Sequence, residues 1–195
     1  MLLALLLFLF MLYSVVTQTF FYDIDLWVSV HSAQMHQPFL NKVVIVITHL
    51  NGVIASAIFT FFLLVYLIYR KWYKELRFYL FSFLGASLFF TLIKNIVERA
   101  RPQSELIDVI NYSFPSGHST MATAMAVALY FIFVPKIDSS KKQSLLLAAA
   151  IFWPLLIAFT RVYLNVHWVS DTLAGLSLGF FWVTLLYLIL IKKQA

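Results

Sequence analysis

Three short stretches of this chain hold residue types that can act together on an anion. In "KNIVERARP" (94–102), Lys94 and Arg101 are seven apart, so on a continuous helix they differ by only about 20° around the axis, and Pro102 ends the element. In "PSGH" (115–118), Ser116 suits the cap of a helix starting at His118. Gly117 permits close backbone approach, and the free N–H groups of such a helix start favour negative charge. In "RVYLNVHWVSD" (161–171), His167 and Asp171 are four apart. A carboxylate there can hold one imidazole nitrogen protonated and leave the other free to attack. Arg161 is six residues before His167, on the wrong face for one helix, so a break is expected near Asn165.

Each stretch alone has an ordinary reading: cations snorkelling to a membrane surface, or a histidine satisfied in a turn. What decides between these readings is where the chain places them. Of its 195 residues 63% are hydrophobic and only 11% charged, which points to one domain whose outer surface faces lipid. The expected architecture is an all-α integral membrane protein, a six-transmembrane helix bundle with spans at about 2–21, 43–69, 77–99, 117–135, 144–162 and 169–191. The first span lacks a basic leader and a small-residue cleavage signature, so it is read as a retained helix and not a signal peptide. Residues 22–40 mix Asp23, Asp25, Trp27, His31 and His36 with apolar positions, which suits a helix lying in the interface. Pro154 is expected to kink the fifth span, and Gly175 and Gly179 to pack helices closely within the bundle.

Nine of the fourteen basic residues (Arg70, Lys71, Lys74, Arg77, Lys136, Lys141, Lys142, Lys192 and Lys193) fall on one side, which places that side and both termini in the cytoplasm. The net charge of +6 therefore reads as topology and not as a nucleic-acid surface. Lys42, Lys94, Arg99, Arg101 and Arg161 lie near the opposite face, where that rule gives no reason for them. With no cysteine, disulfides, thiolate nucleophiles and Cys-based metal sites are excluded. All three stretches end up on the extracytoplasmic side of spans three to six, so their convergence reads as a site.

The order Lys-x6-Arg-Pro, Pro-Ser-Gly-His, Arg-x5-His-x3-Asp over residues 94–171 resembles the three-part signature of the type 2 phosphatidic acid phosphatase family, which is similar in its catalytic residues to vanadium haloperoxidases. One departure is Thr160, where a serine often stands, and a hydroxyl is kept. The resemblance implies a phosphatase in which His167 attacks phosphorus to give a phosphohistidine and Asp171 orients it. His118 would protonate the leaving oxygen and then activate water. Lys94, Arg101, Arg161, Ser116 and the Gly117 N–H would hold the phosphoryl oxygens, and neither metal nor cofactor is implied.

The substrate expected from this resemblance is a lipid phosphate or pyrophosphate: phosphatidylglycerophosphate, undecaprenyl pyrophosphate or phosphatidic acid. The twelve residues between Pro102 and Pro115 leave few headgroup contacts, so broad specificity is expected. The cell membrane is the expected location, with the bilayer and the lipid substrate as partners and no obligate protein partner. A phosphotransferase using the same intermediate and a non-enzymatic lipid-binding or transport bundle are the alternatives; the intact motifs weigh against the second.

Overall fold

In hydrocarbon a backbone has no hydrogen-bond partner but itself, so long apolar runs must be helical. A computed structural model describes residues 1–103 and 105–192; among these there are eight α-helices and no strand. They are α1 (Leu2–Thr17), α2 (Phe21–Gln34), α3 (Pro38–His49), α4 (Val53–Tyr69), α5 (Tyr73–Val97), α6 (Gly117–Phe133), α7 (Ser140–Tyr163) and α8 (Val169–Leu190). Helices α5 to α8 are each long and apolar enough to cross a membrane, α6 together with a short 3-10 turn reaching Lys136.

The N-terminal third is more broken than the sequence suggests. Instead of one rod followed by an interfacial segment at 22–40, α1 and α2 meet at 84°, and α3 begins at Pro38. Gln18 takes a left-handed φ of 51°, and the Phe21 N–H donates to Ser14 Oγ at 3.0 Å, which fixes the elbow. The expected second span is split as well. Helices α3 and α4 differ by 40° across Asn51 and Gly52, and with each bent pair taken as one span the count of crossings is up to six. Helix α7 runs through Pro154 as one element.

Helix α6 lies at the centre, flanked by α5, α7 and α8. Small residues make this possible: Ala122, Ala124 and Ala128 are fully buried. A Cβ on Gly175 would come within 2.6 Å of the Ser116 carbonyl oxygen, and one on Gly179 within 2.6 Å of that of Thr120. The two glycines therefore serve α6–α8 packing, as expected, and they bring α8 against the start of α6.

At the opposite end of the bundle Lys136 pairs with Glu75 at 2.6 Å and lies over the Trp72 ring, Arg70 lies over the same ring, and Lys74 donates to the Ile191 carbonyl at 3.0 Å. The basic linkers thus share one end. Lys193 lies outside the described residues.

Candidate active site

The three stretches converge, by a different local geometry from the one their spacing suggests. Helix α5 stops at Val97, because Glu98 turns left-handed with φ 49°, so Arg101 is not two helical turns above Lys94. The chain folds back instead. Ser113 N–H donates to the Arg99 carbonyl at 2.8 Å and Ser113 Oγ to that of Ala100 at 3.0 Å, which presents the Tyr112 carbonyl to both cations. Lys94 Nζ donates to it at 2.5 Å and an Arg101 guanidinium nitrogen at 3.0 Å. Arg101 also donates to the Asn111 carbonyl at 2.6 Å and to the Val166 carbonyl.

The expected break near Asn165 is present, with Asn165 at φ 55°, a conformation asparagine tolerates better than most residues. Helix α7 ends at Tyr163 and α8 begins only at Val169, so His167 is in the turn and not on α8. Asp171 still reaches it, as the third residue of α8: its Oδ2 lies 3.3 Å from His167 Nδ1 and accepts the Trp168 N–H at 3.0 Å. The other ring nitrogen, Nε2, lies 3.3 Å from an Arg101 guanidinium nitrogen. His167 and Asp171 are both buried.

Arg161 is 3% exposed, and its hydrogen-bond partner among the described residues is a neutral hydroxyl, Thr48 Oγ1 at 2.9 Å. Its Nε is buried with no hydrogen-bond partner. A buried cationic N–H without an acceptor is costly, and its presence points to an anion that supplies one.

Ser116 caps α6, with its Oγ accepting from the Ser119 N–H at 3.4 Å and the Ser119 hydroxyl at 3.0 Å. The Ser116 N–H donates to the Asp171 carbonyl at 3.0 Å, which ties the second stretch to the third. Gly117 is the first helical residue and faces the Phe90 ring. His118 stands within electrostatic reach of Arg161, His167, His49 and Lys94. Its own carbonyl accepts from Asn51 Nδ2 at 3.0 Å, and Asn51 Oδ1 accepts from Trp153 Nε1 at 3.3 Å. All eight expected residues therefore gather around one end of α5 to α8.

Sequence reasoning missed Thr48 and Asn51, which come from the α3–α4 corner, and the backbone carbonyls of Asn111 and Tyr112. It flagged Arg99 as unexplained without finding its partners. In the structure Arg99 donates to Asp171 Oδ1 at 2.6 Å and to Asp25 Oδ2 at 2.7 Å.

His167 is held well below the ordinary value of 6.5, first by burial and then by the Arg161, Arg101 and Lys94 charges. The sign for stability follows. Above pH 6.5 the ring is neutral in both folded and unfolded chains; on acidification the unfolded chain binds a proton that the folded one excludes, so stability falls. Between about pH 7 and pH 5, thermal denaturation in detergent should cost wild-type protein more of its Tm than His167→Ala. Equal losses would contradict the assignment of a neutral buried imidazole.

Several known proteins are similar to this chain. A sequence model of the PAP2 superfamily matches residues 75–195. Phosphatidylglycerophosphatase B of Bacillus subtilis is 35% identical over 152 residues, which are 74% of this chain and 72% of that protein. An undecaprenyl-diphosphatase of Sulfolobus acidocaldarius is 36% identical over 76 residues, 39% of this chain and 32% of its own length. The crystal structure of the first transmembrane PAP2 type phosphatidylglycerolphosphate phosphatase from Bacillus subtilis aligns with a TM-score of 0.87 at 28% identity, covering 98% of this chain and 96% of that one.

Proposed function

The chain belongs to the PAP2 superfamily, and from that membership we propose that it hydrolyses a lipid phosphate or pyrophosphate without a metal, at the extracytoplasmic membrane face, through a phosphohistidine. That it is a membrane-embedded phosphatase follows from the family and the apolar helices. The finer reading rests above all on Arg161, whose buried, unpartnered Nε stands beside the cations Lys94 and Arg101 and the nucleophile candidate His167.

In this reading Lys94, Arg101 and Arg161 hold the nonbridging phosphoryl oxygens, and the Gly117 N–H at the start of α6 adds a donor, as does Ser116. His167 Nε2 attacks phosphorus in line, while Nδ1–H is held by Asp171. The P–O bond to the lipid breaks, and His118 protonates the departing oxygen. His118 then takes a proton from water, which attacks the phosphohistidine and releases inorganic phosphate. Three fixed cations neutralise the charge that a divalent ion neutralises in many phosphoryl-transfer enzymes.

The extracytoplasmic placement rests on the basic linkers at the opposite end of the bundle, which the positive-inside rule assigns to the cytoplasm together with both termini. The cell membrane is the proposed location. Phosphatidylglycerophosphate, undecaprenyl pyrophosphate and phosphatidic acid are the candidate substrates, because related proteins bear two of these activities in their names. The short loop between the first two stretches favours broad acceptance.

Phosphate release in mixed micelles containing each of these lipids or a soluble phosphomonoester, with and without chelator, tests this. Release without an added acceptor, undiminished by EDTA, is expected, with the lipids preferred to the soluble ester. Strong inhibition by EDTA reversed by a divalent cation would overturn the metal-free mechanism. Turnover only with an acceptor lipid would make the protein a phosphotransferase.

A further inference from the structure

Helix α2 lies outside the part of the chain that the superfamily model matches, and it is fastened to the site along one face. Asp25, Ser29, Ser32 and His36 are spaced four, three and four apart, which makes one stripe on a helix that His36 extends just past its end. Every member of that stripe binds the turn between α7 and α8 or the helix ends that flank it. His36 Nε2 lies 2.7 Å from the Tyr163 carbonyl, and the Ser32 hydroxyl lies 3.0 Å from that of Val162. The Ser29 hydroxyl donates to Asn165 Oδ1 at 2.8 Å. Asp25, which is 2% exposed, accepts from the Ser170 N–H at 3.0 Å and the Ser170 hydroxyl at 2.5 Å. On the other face Tyr22, Leu26, Trp27 and Val30 are exposed.

The turn gripped in this way carries His167 on irregular backbone, which has no helical ladder to hold it, and starts just past Arg161 near the end of α7. Between the stripe and the catalytic pair stands one guanidinium. Arg99 bridges Asp25 Oδ2 at 2.7 Å, Ser170 Oγ at 2.7 Å and Asp171 Oδ1 at 2.6 Å, and it lies against the Trp168 ring at 5.3 Å. Asp171 uses its other oxygen for His167 and the Trp168 N–H. The carboxylate is thus pinned at both ends.

We propose that Arg99, itself anchored by Asp25 of α2, is a positioning residue for the reaction: it fixes the Asp171 carboxylate in the orientation that keeps His167 Nδ1 protonated and aims Nε2 at phosphorus. The proposal rests on the His167–Asp171 assignment made above. Arg99 occupies one of the six unspecified places between Lys94 and Arg101, so no motif residue stands for it. Among the described residues its guanidinium bonds Asp25, Ser170 and Asp171 and not Lys94, Arg101 or Arg161, so its removal should leave the phosphate cradle in place. Its loss therefore acts on the chemical step and not on phosphate binding. Misplacing a catalytic group by a fraction of an ångström to an ångström costs about 100-fold.

The local architecture also permits a rescue experiment. Arg99 borders a cavity of ≈ 740 Å³ between the α1–α2 elbow and the end of α5, lined also by Gln18, Tyr22, Asp25, Glu98 and Trp168. A guanidinium ion can reach the place that a truncated Arg99 vacates. In Arg99→Ala, kcat should fall about 100-fold while KM and the inhibition constant of inorganic phosphate stay within about threefold. Guanidinium at about 0.05 M, far below denaturing concentrations, should restore kcat about tenfold or more, and should not do so for wild type. Unchanged kcat, a parallel rise in KM, or folded Arg99→Ala that does not respond to guanidinium would overturn the proposal.

If Arg99→Ala does not accumulate as folded protein, Arg99→Lys decides. One ammonium cannot reproduce the three contacts, so kcat should fall about tenfold or more at constant KM, and wild-type kcat would overturn the proposal. Either failure leaves a phosphohistidine at His167 untouched, whereas hydrolysis by His167→Ala would remove the premise itself.

Discussion

Replacing His167 with alanine should lower turnover by about 10⁴-fold or more, while the protein should still extract and run as folded material. The size of the loss follows from the site's division of labour. Lys94, Arg101 and Arg161 can bind a phosphate in either protein, but the alanine variant lacks the nitrogen assigned to attack, His167 Nε2, which lies 3.3 Å from an Arg101 nitrogen. Asp171 cannot substitute, because both of its oxygens are committed, to Arg99 on one side and to His167 and the Trp168 N–H on the other. Folding survives because a buried neutral ring among three cations contributes little to stability beyond its volume. Phosphate release against lipid in micelles, compared with melting in the same detergent, measures both halves; substantial hydrolysis by folded His167→Ala would overturn the nucleophile assignment.

Arg161→Met should separate activity from stability in opposite directions. Arg161 is 3% exposed and among the described residues has one neutral hydroxyl partner and none at Nε, so without a bound anion it carries the cost of a buried, poorly compensated charge. Methionine keeps an unbranched stem like that of arginine without the charge, and Tm in the absence of ligand should rise. The phosphoryl group then loses a cation where transition-state charge develops, which is worth about 10³-fold in kcat/KM. Vanadate, as a phosphate mimic, should raise the Tm of wild type and leave that of Arg161→Met nearly unchanged, since a ligand stabilises only the state it binds. A variant that melts earlier and hydrolyses at the wild-type rate would contradict the role given to Arg161.

The chemistry of the site could be read from sequence because residue type and order survive any local geometry. Lys94, Arg101, His118, Arg161, His167 and Asp171 meet although two of the helical spacings invoked for them do not exist. The first fails at Glu98, a non-glycine residue with φ 49° that ends α5 without the usual glycine signal, and the second because α8 starts only at Val169, beyond His167, although the break near Asn165 was expected. Helices α5 to α8 were legible because long uninterrupted apolar runs admit no other structure in a membrane. The change of direction after the first span was legible to within a few residues, because Asp23 and Asp25 end the apolar run, whereas the bend at 50–52 lay inside one expected span. Asn51 and Thr48 reach partners 67 and 113 residues away, and no local pattern encodes such contacts. For α2 a signal was present: Asp25, Ser29, Ser32 and His36 form a polar stripe at helical spacing, on a chain that also held an Arg99 that topology could not explain.

The central claim is a covalent bond between phosphorus and His167 Nε2, and the most direct measurement is to trap it. Wild-type protein mixed with lipid substrate carrying ³²P in the scissile phosphate, quenched in alkali during turnover and mapped by proteolysis, should yield an alkali-stable, acid-labile label on the peptide containing His167, and His167→Ala should yield none. Steady turnover with no label at any quench time, or label on a different residue, would contradict the account.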